Sequence, residues 1–157
     1  MKNFFKTRVL YPLLEQLKQG VTPQKMAMSC AVASVLSVFP IPGATTGIIF
    51  AFGVFFKLNH PTLQIVNYAL TPIHFLLIPV FMRIGETIFH LPHVTFNPSE
   101  FIAGIKASPS LFLSQYGYSI LVGVFSWFML APPVGGLIYR ILLPIFRKKI
   151  TYGAREL

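Results

Sequence analysis

Aspartate does not occur in this chain, and its four acidic residues are all glutamate. So sparse a carboxylate set argues against Mg or Ca sites and against paired-carboxylate catalysis. Cys30 is the lone cysteine. It excludes an intramolecular disulfide and any CxxC metal site, and inside an apolar run it reads as a small packing residue. Charge of either sign is scarce: 11% of residues, against roughly 25% in soluble domains. No H-E-x-x-H, G-x-S-x-G, Walker A or G-x-G-x-x-G pattern is legible, and no nucleophile–base set. An enzymatic role and a cofactor are therefore not expected. The first 25 residues lack a continuous apolar core and an A-x-A-like cleavage site, so the N-terminus is expected to be retained.

What fills the chain instead is apolar. Hydrophobic residues make up 54% of the 157, the mean hydropathy is +0.67, and there are 16 Phe and 13 Pro. That composition predicts an all-α integral membrane protein. Prolines inside apolar runs are tolerated where neighbouring helices re-satisfy the freed backbone groups.

The net charge of +9 is carried at the two ends. Lys2, Lys6, Arg8, Lys18 and Lys25 precede the first apolar run. Arg140, Arg147, Lys148, Lys149 and Arg155 follow the last. Only Lys57, Arg83 and Lys106 lie between. This positive-inside pattern predicts a multi-pass membrane protein with both termini cytoplasmic. Basic residues that flank lipid-type segments point to a membrane surface, not to nucleic acid.

Residues 1–22 read as an interfacial helix. Phe5, Val9, Leu13 and Leu17 recur at i, i+4, with lysines elsewhere on the wheel. Gly20 stops it. Thr22 and Pro23 suit an N-cap and a first helical position, so a new helix is expected from 23. The apolar runs 26–39 and 47–56 are about 21 Å and 15 Å long as helices, short of a ~30 Å hydrocarbon core. Between them stands FPIPGATTG. Residues 23–57 are therefore expected to form a re-entrant helical hairpin, entering and leaving on one side. Ser29, Ala33 and Ser37 give its first arm a small-residue face for close packing.

Residues 62–82 read as a proline-kinked span. Residues 83–116 read as an extracytoplasmic segment carrying a second interfacial helix over 99–107, started by Asn97-Pro98. Residues 117–146 read as a span broken at Pro132-Pro133, and 147–157 as a basic cytoplasmic tail. The 14-residue run plus proline break at 26–43 is echoed at 117–136. Inverted repeats of broken helices are a transporter signature.

Three groupings are candidate ligand sites. In the turn, Pro40, Pro42, Gly43, Thr45 and Thr46 offer hydroxyls and free N–H groups where a half-helix begins, a setting that attracts anions. The alternative is a structural turn whose threonines cap that helix. Asn67, Thr71 and His74 form one polar stripe on the 62–82 span. They serve either interhelical hydrogen bonding and relief of Pro72, or a wet path for a head group, with His74 able to relay a proton. Asn59 lies in the polar turn before that span. Arg83 and Glu86 are spaced i, i+3, as an interfacial ion pair or a lipid-phosphate contact. His90 and His93 near Glu86 match metal spacing only loosely, and no metal site is expected.

The stretch from Lys18 to Pro72, within a match over about residues 15–140, resembles the bacterial membrane family known as domain of unknown function 2062. Gly20, Thr22 and Pro23 match its G-x-[ST]-P. Pro40, Pro42 and Gly43 match its proline-glycine break, and Leu58 and Asn59 its leucine-asparagine turn. Asn67 and Pro72 match its Asn–Pro helix in part, because the two are separated here. The resemblance implies a bacterial, membrane-embedded protein. Fusion of some members to glycosyltransferases implies envelope lipid or polysaccharide chemistry. Two functions follow as expectations: transport or handling of an anionic lipid or envelope precursor at the broken-helix site, or a non-catalytic accessory role beside an envelope-biosynthesis enzyme. Membrane lipids and a second copy of the chain are the expected partners.

Overall fold

The computed structural model describes residues 21–41, 43–95 and 97–153. The interfacial helix expected over 1–22 lies, but for its last two residues, outside them, as does Pro42. The described chain is all-helical, without strands. Five helices follow one another: α1 (Pro23–Leu36), α2 (Thr45–Phe55), α3 (His60–Ile88), α4 (Pro98–Ala107) and α5 (Pro109–Gly153).

Helix α1 starts where the sequence predicts. The Lys25 N–H donates to Thr22 Oγ1 at 3.3 Å, and Pro23 occupies the first turn. Pro40, and Gly43 at φ +85°, then turn the chain, and Thr45 opens α2. The two arms have 14 and 11 residues. Neither reaches across a bilayer core at ~1.5 Å per residue. Helix α2 closes with paired bonds, Leu58 N–H to Gly53 O at 2.9 Å and Lys57 N–H to Val54 O at 3.2 Å. Lys57 takes the left-handed position of that motif at φ 51°, which satisfies the last carbonyls without a glycine.

Asn59 caps α3. Its Oδ1 accepts from the Thr62 N–H at 2.8 Å and the Thr62 hydroxyl at 2.6 Å. The Asn59 N–H donates to Ser29 Oγ at 2.9 Å, which ties the start of α3 to the first turns of α1. Helix α3 continues past residue 82 to Ile88, through Pro72 and Pro79. It ends in the same paired motif as α2, with His90 at φ 54°. Asn97 caps α4 as predicted, accepting from the Ser99 N–H at 3.1 Å.

Helix α5 differs from expectation. It is continuous through Pro132, Pro133 and Pro144, so the break predicted at 132–133 is absent. The first break has a glycine at positive φ beside its prolines, and the second has none: among the described residues Gly43 is the one glycine with positive φ. Proline fixes φ near a helical value, and α5 passes through Pro132 and Pro133 without leaving the helical conformation. The echo between 26–43 and 117–136 is therefore not a structural repeat.

Helices α3 and α5 run antiparallel and touch closely. A Cβ at Gly85 would lie 2.4 Å from the Val122 carbonyl oxygen, and one at Gly123 would lie 3.3 Å from Met82 N. Helix α1 packs against both. Ser29, Ala33 and Ser37 are buried on it, so the small-residue face is spent inside the fold. Met26, Ala27, Ala33, Leu63, Val66 and Trp127 anchor the core. Two helical stretches, His60–Ile88 and Tyr116–Lys148, are long and apolar enough to cross a membrane. Large apolar side chains stand on their outer faces, Leu76, Leu121 and Phe128 among them. Helix α2 is largely open: Phe50, Val54 and Phe55 face outward and only Thr45, Ile49 and Gly53 are buried.

Candidate functional site

The broken turn is held from two sides. On its entering limb, Phe39 offers its carbonyl to His74 Nε2 on α3 at 2.7 Å. On its leaving limb, Thr46 Oγ1 accepts from Asn67 Nδ2 at 3.3 Å. Below it, Trp127 Nε1 on α5 donates to the Val35 carbonyl at 3.1 Å, and the Trp127 ring meets Phe39 edge-on at 4.9 Å. A turn ending a helix leaves carbonyls unpaired, and here neighbouring helices take two of them. Pro40 and Thr45 are buried, while Gly43 and Thr46 are exposed.

Two of the stripe residues thus reach the turn. Asn67 and His74 are buried and bonded to it. Thr71 is exposed, and its hydroxyl donates to the Asn67 carbonyl at 3.1 Å, one turn back on α3. Asn59 stands apart at the start of α3 as its cap. Arg83 stands apart near the other end, its NH1 3.9 Å from Glu86 Oε2. The carboxylate of Glu86 is the hub there. It faces His93 Nδ1 at 3.1 Å, accepts from the Val94 N–H at 3.3 Å and from the Ser119 hydroxyl, and is 1% exposed. His90 is exposed and caps the helix instead.

Replacing His74 tests the clamp. His74→Phe keeps a ring of similar bulk but removes one of the two donors to the Phe39 carbonyl, leaving it the Ile41 N–H at 2.8 Å. The expected cost is about 1 kcal/mol, the worth of one hydrogen bond to a carbonyl that keeps a second donor. Denaturant unfolding in detergent measures it, and an unchanged midpoint would remove the clamp from the account.

One opening is not revealed by the sequence. A cavity of about 440 Å³, open along one side, lies between both arms of the hairpin and α5. Val32, Val35, Phe52, Trp127, Ala131 and Gly136 are among its walls, and the lining is almost wholly apolar. The indole N–H of Trp127 is already used on Val35. Small residues make the opening: a Cβ at Gly136 would meet nothing within 4 Å. The signal in the sequence is the run A-P-P-V-G-G. Read as a break, it hides its role as a shallow face on a continuous helix.

A second polar feature was also not foreseen. His60 Nδ1 and Gln64 Oε1 are buried without a partner among the described residues. They are one turn apart on α3. The His60 ring lies 5.1 Å from Phe50, and Gly53 admits it, since a Cβ there would lie 2.7 Å from its Cε1. Three or more metal-ligating side chains do not gather anywhere among the described residues.

Comparison with protein-family models, with curated proteins and with solved structures found no match.

Proposed function

We propose that this chain is a small bacterial inner-membrane protein that binds and positions a membrane lipid, with an acyl chain in the groove between the hairpin and α5. The observation that carries this reading is the groove itself, apolar on every wall and open along one side. Its size favours an acyl chain over a protein helix. A helix is ~10 Å across, so a single turn of ~5.4 Å already fills roughly 400 Å³. A flexible hydrocarbon chain fits the same space along its length. The apolar outer faces of α2, α3 and α5 fit a hydrocarbon surround, since soluble monomers rarely expose so much contiguous apolar surface. Both arms of the hairpin are too short to span, which favours re-entry from the cytoplasmic side with both termini there. The likeness to domain of unknown function 2062 belongs to this same reading.

In this reading the broken turn is a strut that holds the two arms apart at a fixed angle, and its exposed Gly43 and Thr46 remain available to a polar group. Native mass spectrometry tests the proposal. Protein extracted in mild detergent should retain about one phospholipid per chain. Gly136→Leu, which fills open space, should retain none while its helical circular dichroism and melting are unchanged. Wild-type protein that carries no lipid under conditions that keep it folded would defeat the proposal.

An accessory role beside an envelope-biosynthesis enzyme is the second reading, and the bare outer face of α2 favours it. Phe55 is 81% exposed. Because Ala33 and Ser37 are consumed inside the fold, a partner helix would have to dock on Phe50, Val54 and Phe55. Loss of a co-purifying enzyme on Phe55→Ser, with lipid retention unchanged, would support this role.

A further inference from the structure

We propose that the groove selects lipids with an anionic head group, seated between Lys25 and Arg140 at its cytoplasmic end. The inference rests on the lipid-groove reading above and adds the head-group class. Helices α1 and α5 frame the groove and run antiparallel: α1 follows the direction of α3, from Ser29 beside Asn59 to Phe39 beside His74, and α5 runs against α3, with Val122 at Gly85 and Gly123 at Met82. Lys25 lies one turn before Met28 on α1, at the i, i+3 spacing that keeps two residues on one helix face. Arg140 lies one turn after Gly136 along the groove's edge on α5, at i, i+4. Met28 and Gly136 both line the groove. Lys25 and Arg140 are both exposed.

Among the described residues the charge at that end has one sign. Among the described residues the acidic side chains are Glu86 and Glu100. Glu86 sits near the end of α3 and Glu100 in the following α4, away from the start of α1. No carboxylate among the described residues pairs with Lys25 or Arg140. Two unpaired cations above a hydrocarbon slot complement a phosphodiester without a compensating amine. Long basic side chains can lie along the apolar wall with their heads at the interface. A zwitterionic lipid presents the same chains but a head group that carries its own cation, so it gains less from this pair.

The sole tryptophan of the chain reports on the groove directly, because Trp127 is one of its walls. The protein is reconstituted in phosphatidylcholine vesicles containing a small fraction of lipid brominated on its acyl chains. The brominated lipid is phosphatidylglycerol in one series and phosphatidylcholine in the other. Bromine quenches indole emission on contact. Quenching by brominated phosphatidylglycerol should set in at lower mole fraction, by about fivefold for each cation and roughly 25-fold for both. In the double variant Lys25→Gln, Arg140→Gln the two series should coincide, and Lys25→Arg should keep the preference. Equal quenching by both lipids in the wild type would overturn the head-group selection and leave the lipid groove standing. Absence of quenching by either lipid would mean that no chain enters the groove, and both readings fall. A preference that persists in the double variant would place the anion elsewhere and also overturn the assignment.

Discussion

Gly85→Ala should cost this protein about 3 kcal/mol, the upper end of the overpacking range. The added methyl would stand 2.4 Å from the carbonyl oxygen of Val122 and 2.5 Å from its carbon. Both are backbone atoms of α5, so no side chain can swing aside. The two helices must separate, and Met82 and Gly123, which meet at the same crossing, move with them. The opposing gain is small, because alanine is only ~1 kcal/mol better than glycine in a helix. For a chain of this length ~3 kcal/mol lowers the melting temperature by about 6–12 °C. Two further glycines calibrate the result. Gly123→Ala, at 3.3 Å from Met82 N, should cost less. Gly136→Ala has nothing within 4 Å and should be neutral or stabilising by up to ~1 kcal/mol. Thermal unfolding of the three variants in one detergent gives the order. If Gly85→Ala melts with the wild type, the close crossing of α3 and α5 is wrong.

Glu86→Ala should be the next most damaging change, at roughly 2–4 kcal/mol. Hydrogen bonds to a charged group are worth about 1.5–3 kcal/mol each in favourable settings, and this carboxylate serves the Val94 N–H, the Ser119 hydroxyl and His93. Removing it strands the first two of these in a site where Glu86 itself is 1% exposed. Arg83 adds little. Its side chain is 52% exposed and 3.9 Å away, and such pairs contribute under about 1 kcal/mol. Arg83→Gln should therefore be nearly silent, and Glu86→Gln intermediate, because its amide oxygen can still accept from Val94. The damage has a location. Residues 91–95 hang from Glu86 through His93 and Val94, so hydrogen exchange at the Val94 amide should rise in Glu86→Ala. It should stay near wild type in Arg83→Gln. An unprotected Val94 amide in the wild-type protein would contradict the hub.

The consequences of these two sites differ from those of the broken turn. Gly85 and Glu86 govern whether the α3–α5 pair exists and where the segment after it lies. His74, Asn67 and Trp127 govern the angle at which the hairpin stands on that pair, and therefore the width of the groove.

The sequence alone determined the class of elements. Near-absence of charge between residues 26 and 139, long apolar runs, and Thr22-Pro23 and Asn97-Pro98 as helix starts are local signals. The caps observed at Thr22 and Asn97 obey them. The turn at Pro40–Gly43 was legible for the same reason, because proline and glycine act on their own backbone. Partners across the chain were not legible. Nothing local says that the Asn59 N–H is spent on Ser29, or that His74 and Asn67 reach the turn while Thr71 between them is exposed. Nor could composition tell a broken helix from a continuous one. Pro132 and Pro133 looked like the earlier break, yet proline's fixed φ is a helical one, and α5 continues through both. The tertiary structure decided that the small residues there form the wall of a groove, because a cavity exists only where three separate stretches of chain are brought together.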